Sequence, residues 1–210
     1  MSNLLQMTGE QFLNQLASSQ PAPGGGSASA QAVATAAALL EMVSNLTIGR
    51  KKYTEVQVDM EELRLLTKEL GSRARALVDE DTQAYDAVMA AFQLPKSSDQ
   101  EKSIRTAAIL EATRNAIRVP QETANLGIQV LKAAQVALSK GNTNAFSDGL
   151  VAAYLASAGC KGALANVKIN LSGLKDEMEI EQLQKYCSST VLECDSLLQE
   201  AEIRAKVQLG

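Results

Sequence analysis

Between residues 60 and 91, apolar side chains recur in alternating steps of three and four. They are Met60, Leu63, Leu70, Ala74, Leu77, Ala84, Val88 and Ala91, with Thr67 filling one gap and Asp81 the other. A strand would alternate with a period of two. This pattern lays a single apolar face along a long helix, which other helices must cover. The composition agrees: hydrophobic residues make up 46% of the chain, aromatics only 3%, and Trp is absent. A core of Ala, Leu, Val and Ile packs as helices, whereas sheets gather aromatic and β-branched residues.

Helix starts are marked by pairs that resemble capping boxes: Thr8 with Gln11, Thr54 with Gln57, Ser98 with Glu101, and Asp176 with Glu179. Helices are predicted over 8–19, 27–48, 55–93, 99–118, 121–139, 145–171 and 176–208. The breaks fall at Pro21 and Pro23, Gly49, Pro95, Pro120, Gly141 and Gly173. The expected architecture is all-α: a single domain, residues 1–210, of long and mostly antiparallel helices.

Several functions are excluded on charge and composition. A net charge of −4 without a basic face argues against nucleic acid or a membrane surface as partner. The window Ala28 to Leu40 contains Gln31 and Thr35 and runs into Glu41, too polar for a membrane span. No Lys or Arg precedes Arg50, so no signal peptide is expected. Cys160, Cys187 and Cys194 form no paired framework, and a reduced, cytoplasmic protein is expected. The chain has no His, which removes Ser-His-Asp and Cys-His catalysis and most zinc sites. No metal is expected. Catalysis would fall to carboxylates, lysines, tyrosines, amides or backbone dipoles.

Against that background Asp81 is conspicuous. A carboxylate on an inward stripe needs a partner or a wet cleft. The plain alternative is that it caps or pairs with a neighbouring helix. Asp79, Glu80 and Asp86 fall off the stripe and are read as solvated. A second feature is "PAPGGGSASA", residues 21–30, with Ser27 expected as N-cap. One glycine suffices for a turn. Gly24, Gly25 and Gly26 together permit close backbone approach and expose amides at a helix start, where negative charge is favoured. No strand precedes them and no Gly-Lys-Ser/Thr follows, so neither nucleotide-binding glycine motif is present.

At the far end of the helix that this loop begins lies "GRKKY", with Arg50, Lys51 and Lys52. These residues either complement the helix dipole or dock a carboxylate or phosphate. A straight helix keeps the two clusters about 30 Å apart. If they serve one site, a second subunit or a fold-back must join them. Further on, Asn166 and Asn170 share a helix face and suit either a hydrogen-bond ladder or a ligand. Gly149, Gly159 and Gly162 suit close helix packing. Ser147 and Asp148 are placed to cap the helix after Gly141.

"PAPGGGSASA", "GRKKY", "VDEDTQAYDAVMAAFQLPK", "GNTNAFSD" and "NVKINL" occur here in the order in which they occur in the cyclodeaminase/cyclohydrolase family. The chain resembles that family from about residue 8 to 205. The family includes the cyclodeaminase half of formiminotransferase-cyclodeaminase and stand-alone bacterial proteins. The resemblance implies a homodimer with a groove site near the subunit contact. It also implies a tetrahydrofolate derivative as substrate and no prosthetic group. The implied reaction is closure of 5-formiminotetrahydrofolate to 5,10-methenyltetrahydrofolate with release of ammonia. The alternative is hydrolysis of the methenyl bridge to the formyl form, and a third reading is a non-enzymatic helical interaction module.

An aspartate in "DEDTQAY" is similar to a catalytic residue of the family, and the stripe selects Asp81 for it. Asn166 and Asn170 would then orient the pterin or the bridge. The amides of Gly24, Gly25, Gly26 and Ser27, or Arg50, Lys51 and Lys52, would hold a glutamyl tail, expected to be polyglutamylated. Tyr85, Ser147 and Asp148 complete the expected substrate-binding set.

Overall fold

A computed structural model of the chain describes residues 4–210. It contains six α-helices: α1 (Gly9–Leu16), α2 (Gly25–Thr47), α3 (Gln57–Phe92), α4 (Asp99–Lys140), α5 (Phe146–Asn170) and α6 (Glu177–Leu209). Short 3-10 turns precede α1 and join α2 to α3, α4 to α5 and α5 to α6. No strand occurs among the described residues. The all-α, single-domain expectation is met.

Helices α2, α3, α4 and α5 pack in a ring, each against the next, and α6 lies across α4 and α5. Close approaches fix the directions. Gly26 meets Asp81 while Gly71 meets Ala37, so α2 and α3 are antiparallel. Gly159 meets Val33 and Gly162 meets Ser29, which runs α5 against α2. Arg73 pairs with Glu122 and Lys140 with Asp59, which runs α4 against α3. The core is the predicted one: Met60, Leu63, Leu70, Ala74 and Leu77 are almost wholly enclosed, and Thr67 donates to the carbonyl of Leu63. The glycines of α5 serve packing. A Cβ on Gly159 would stand 2.7 Å from the carbonyl oxygen of Ser29.

Four local expectations are corrected. Pro120 does not break a helix; α4 runs straight through it, and two predicted helices are one of 42 residues. Thr54 and Gln57 form no capping box. Thr54 lies in the 3-10 turn Lys51–Val56, and the Gln57 amide instead bonds Gly49 and Tyr53 across the α2–α3 corner. Ser27 is not an N-cap: Gly24 holds that position, and Ser27 lies in the first turn with its hydroxyl turned into α3. The Thr8 and Ser98 boxes form as predicted. Asp176 caps α6, but Glu179 reaches across to Arg114 rather than back to the cap.

Helix lengths shape the site. α2 and α5 have 23 and 25 residues, α3 and α4 have 36 and 42. The α3–α4 hairpin therefore overhangs the start of α2 and the end of α5. A crevice opens beneath the overhang. Arg73 clamps α3 to α4, with Nε 2.5 Å and Nη2 2.8 Å from the two carboxylate oxygens of Glu122 on α4, while also pairing with Glu80. That pairing holds the Glu122 carboxyl below its ordinary range. Asp79 accepts from the amide of Leu4 at 2.7 Å. Glu80 and Asp79, read as solvated from sequence, are thus tied into the structure.

Candidate active site

A crevice of about 340 Å³ is lined by Pro21, Ala22 and the three glycines from the α2 entry, Asp81, Ala84, Tyr85 and Val88 from α3, Ala116 from α4, and Asn166, Ile169 and Asn170 from α5. Among these residues only Asp81 is formally charged at neutral pH. Three stretches far apart in the chain, 21–27, 81–85 and 166–170, converge here.

The glycines do not supply left-handed backbone; positive φ occurs only at Gly49 and Gly210 among the described residues. They supply closeness. A Cβ on Gly26 would stand 2.0 Å from Oδ1 of Asp81, and one on Gly25 would stand 3.3 Å from Nδ2 of Asn166. The anion at the start of α2 is therefore the Asp81 carboxylate itself, set where the helix dipole favours negative charge. Ser27 donates its hydroxyl to Oδ2 of Asp81 at 2.9 Å and also reaches the Val78 carbonyl at 3.0 Å. Burial pushes the Asp81 carboxyl above its ordinary value, and the hydrogen bonds from Ser27 hold back part of that rise. The result is a sheltered acid fixed on one face and open to the crevice.

The two asparagines are anchored alike. Nδ2 of Asn166 donates to the carbonyl of Gly162 at 2.9 Å, and Nδ2 of Asn170 donates to that of Ala116 at 2.8 Å. Each amide spends an N–H on the protein and keeps Oδ1 as an acceptor. Each amide also keeps its second N–H, so the acceptors that suit a ligand rich in N–H groups or carrying positive charge are the Asp81 carboxyl and the two amide oxygens.

Other expected site residues lie elsewhere. Arg50, Lys51 and Lys52 are exposed at the opposite end of α2, about 34 Å away along its 23 residues. There Lys52 reaches the Thr143 hydroxyl at 3.3 Å. Ser147 and Asp148 belong to that same end, in the first turn of α5, where Ala145 and not a Ser or Asp takes the N-cap position. Within one chain, two clusters stand at opposite poles.

Sequence reasoning missed Pro21, Ala22, Ala84, Val88, Ala116 and Ile169 in the crevice wall. Ala84 and Val88 were legible, being the next inward positions after Asp81. Ala116 acts through a backbone carbonyl and leaves no side-chain signal.

The sequence matches the family model described as formiminotransferase-cyclodeaminase over residues 8–189. The chain belongs to the formiminotransferase-cyclodeaminase family. A methenyltetrahydrofolate cyclohydrolase from Methylorubrum extorquens is 41% identical over 188 residues, which is 90% of each chain. The formimidoyltransferase-cyclodeaminase of Rattus norvegicus is 34% identical over 208 residues, covering 99% of this chain but 37% of the rat protein. The crystal structure of formiminotetrahydrofolate cyclodeaminase from Thermotoga maritima superposes with a TM-score of 0.86 at 26% identity over 98% of each chain. The family is thus one of folate one-carbon enzymes, cyclodeaminases and cyclohydrolases.

Proposed function

We propose that the protein acts at the one-carbon bridge of tetrahydrofolate, with Asp81 as its acid–base and electrostatic group. The observation that carries this reading is the position of Asp81, the single formal charge on a crevice otherwise lined by amides, backbone and apolar groups. The methenyl bridge is a cation and the formimino group is one near neutral pH. An ionised carboxylate beside either stabilises charge where it sits during reaction. The raised pKa brings the same group toward a useful proton donor.

The relative of matching length and 41% identity favours hydrolysis as the reaction. Water adds its oxygen to the bridge carbon of 5,10-methenyltetrahydrofolate and gives a proton to Asp81. The bond from that carbon to N5 then breaks, N5 takes the proton, and the formyl group stays on N10. The one proton left on the adduct hydroxyl is released to solvent as the formyl carbonyl forms. The Thermotoga and rat relatives support the second reading, closure of 5-formiminotetrahydrofolate. There N10 attacks the amidine carbon, loses its proton by way of Asp81, and ammonia departs carrying a proton. Both pass through a tetrahedral centre at the same carbon, and one crevice serves either.

In this reading Gly26 and Ser27 fix the carboxylate, Gly25 lies against Asn166, and Tyr85, Asn166 and Asn170 orient the pterin and bridge. A glutamyl tail would be repelled by Asp81, which leaves Arg50, Lys51 and Lys52 as its holders. Ser147 and Asp148 stand at that same pole. The two poles meet if a second copy packs antiparallel. The outer faces of α2 and α5 favour such a homodimer: Met42, Leu46, Val151 and Tyr154 are all more than a third exposed there. α5 is apolar enough to cross a membrane by length and composition, yet it packs against α2, α4 and α6 and leaves one apolar face outward.

The test is to give purified protein 5,10-methenyltetrahydrofolate and 5-formiminotetrahydrofolate separately, following the methenyl chromophore and free ammonia together. Methenyl loss without ammonia supports hydrolysis. Methenyl gain with ammonia supports the deaminase. No change with either folate overturns both.

A further inference from the structure

We infer that Pro120 is a positioning residue that orients Asn170 through the backbone carbonyl of Ala116. Pro120 lies inside α4 and is buried, an expensive place for a residue without an N–H. In an uninterrupted helix the N–H of residue 120 would bond the carbonyl of residue 116. The proline cannot make that bond, and its ring crowds that carbonyl off the ladder. The freed oxygen does not go to waste: Nδ2 of Asn170, on α5, donates to it at 2.8 Å. Both Ala116 and Asn170 line the crevice. The proline thereby converts a backbone acceptor that the helix would consume into a fixed anchor for a site amide. With Nδ2 so held, Oδ1 of Asn170 stays an acceptor for ligand N–H groups.

The inference rests on Asn170 touching the folate, as proposed above. Pro120→Ala restores the competing N–H and removes the ring. A proline leaving a helix interior does not weaken the helix by propensity, so a loss of activity with retained stability separates positioning from folding. Thermal unfolding and kcat/KM are measured for P120A, N170A and the double variant, with whichever of the two bridge folates the wild type turns over.

The expected result is a melting temperature at or above wild type for P120A, and a fall in kcat/KM of about threefold to tenfold, the loss of one hydrogen bond. In an N170A background the same substitution should have no further effect. Wild-type kcat/KM in P120A while N170A is impaired overturns the inference. So does a P120A loss that persists undiminished on top of N170A. Unimpaired N170A removes the site role of Asn170 instead. Should P120A fail to fold, Asn170→Asp replaces the donor with an acceptor and leaves α4 intact. It is expected to be as impaired as N170A, and wild-type kcat/KM in N170D would sink the anchor.

Discussion

Gly26 and Asp81 are packed so closely that a Cβ on residue 26 would stand 2.0 Å from Oδ1 and 2.7 Å from Oδ2 of the carboxylate. The glycine run and the inward acid are therefore one device. The loop is stripped of side chains so that a carboxylate can rest against a helix start.

Gly26→Ala must push that carboxylate away from Ser27. Misplacing a reacting group by about 1 Å costs on the order of 10²-fold in rate, and turnover in G26A is expected to fall by that order. Gly24→Ala is the control. Its added Cβ would have only the Pro21 carbonyl oxygen within reach, at an ordinary 3.6 Å, and its rate is expected to stay near wild type. Steady-state kinetics of the two variants check this.

Asp81 also leaves a signature in stability. Its folded pKa is raised by burial, so the native state holds this proton more tightly than the unfolded chain does. Such a group costs nothing below its unfolded pKa of about 3.9, and stability is lost as pH rises through the folded value. Asp81→Asn, which carries no charge at any pH, is expected to be more stable than wild type at neutral pH. That advantage should shrink to nothing in acid. Urea unfolding of both proteins across this range measures the difference. An advantage that grew on acidification would contradict the sign of the shift.

The basic pole is tested with the tail length of the folate. Replacing Lys51 and Lys52 together by Ala is expected to raise KM more for a polyglutamylated substrate than for the monoglutamate. Equal effects would remove this pair from tail binding.

Packing makes a separate prediction. A Cβ on Gly159 would stand 2.7 Å from the Ser29 carbonyl oxygen and 2.6 Å from Cγ2 of Val33. The backbone of α2 does not yield as a side chain does, so Gly159→Ala is expected to destabilise by about 1–3 kcal/mol. The urea midpoint should fall with the slope unchanged.

Much of this was legible in the sequence. The alternating stripe in α3 is the buried face, and it carries Asp81 to the crevice in the same register. Pro120 reads as a stop on local grounds, but α4 continues through it. The inward register of α4 runs through it without a phase change: Thr113, Ile117, Pro120, Ala124, Gly127, Leu131, Ala134 and Leu138 are all buried. A true break would have reset that register. The Ser27 assignment failed for a related reason. Serine is a good cap, but this one is drawn into α3 by partners 51 and 54 positions away, which no local pattern reports. The opposite placement of Gly26 and Lys51 followed directly from the length of α2. The Ala116 anchor did not, because a backbone carbonyl has no residue type.

The most direct measurement is the turnover of 5,10-methenyltetrahydrofolate and of 5-formiminotetrahydrofolate by wild type and by Asp81→Asn, on protein shown to be folded. The expected result is turnover of one or both folates by wild type and a loss of about 10²–10⁴-fold in D81N, the usual contribution of a positioned acid–base group. A folded D81N that works at the wild-type rate would contradict the placement of Asp81 at the chemistry.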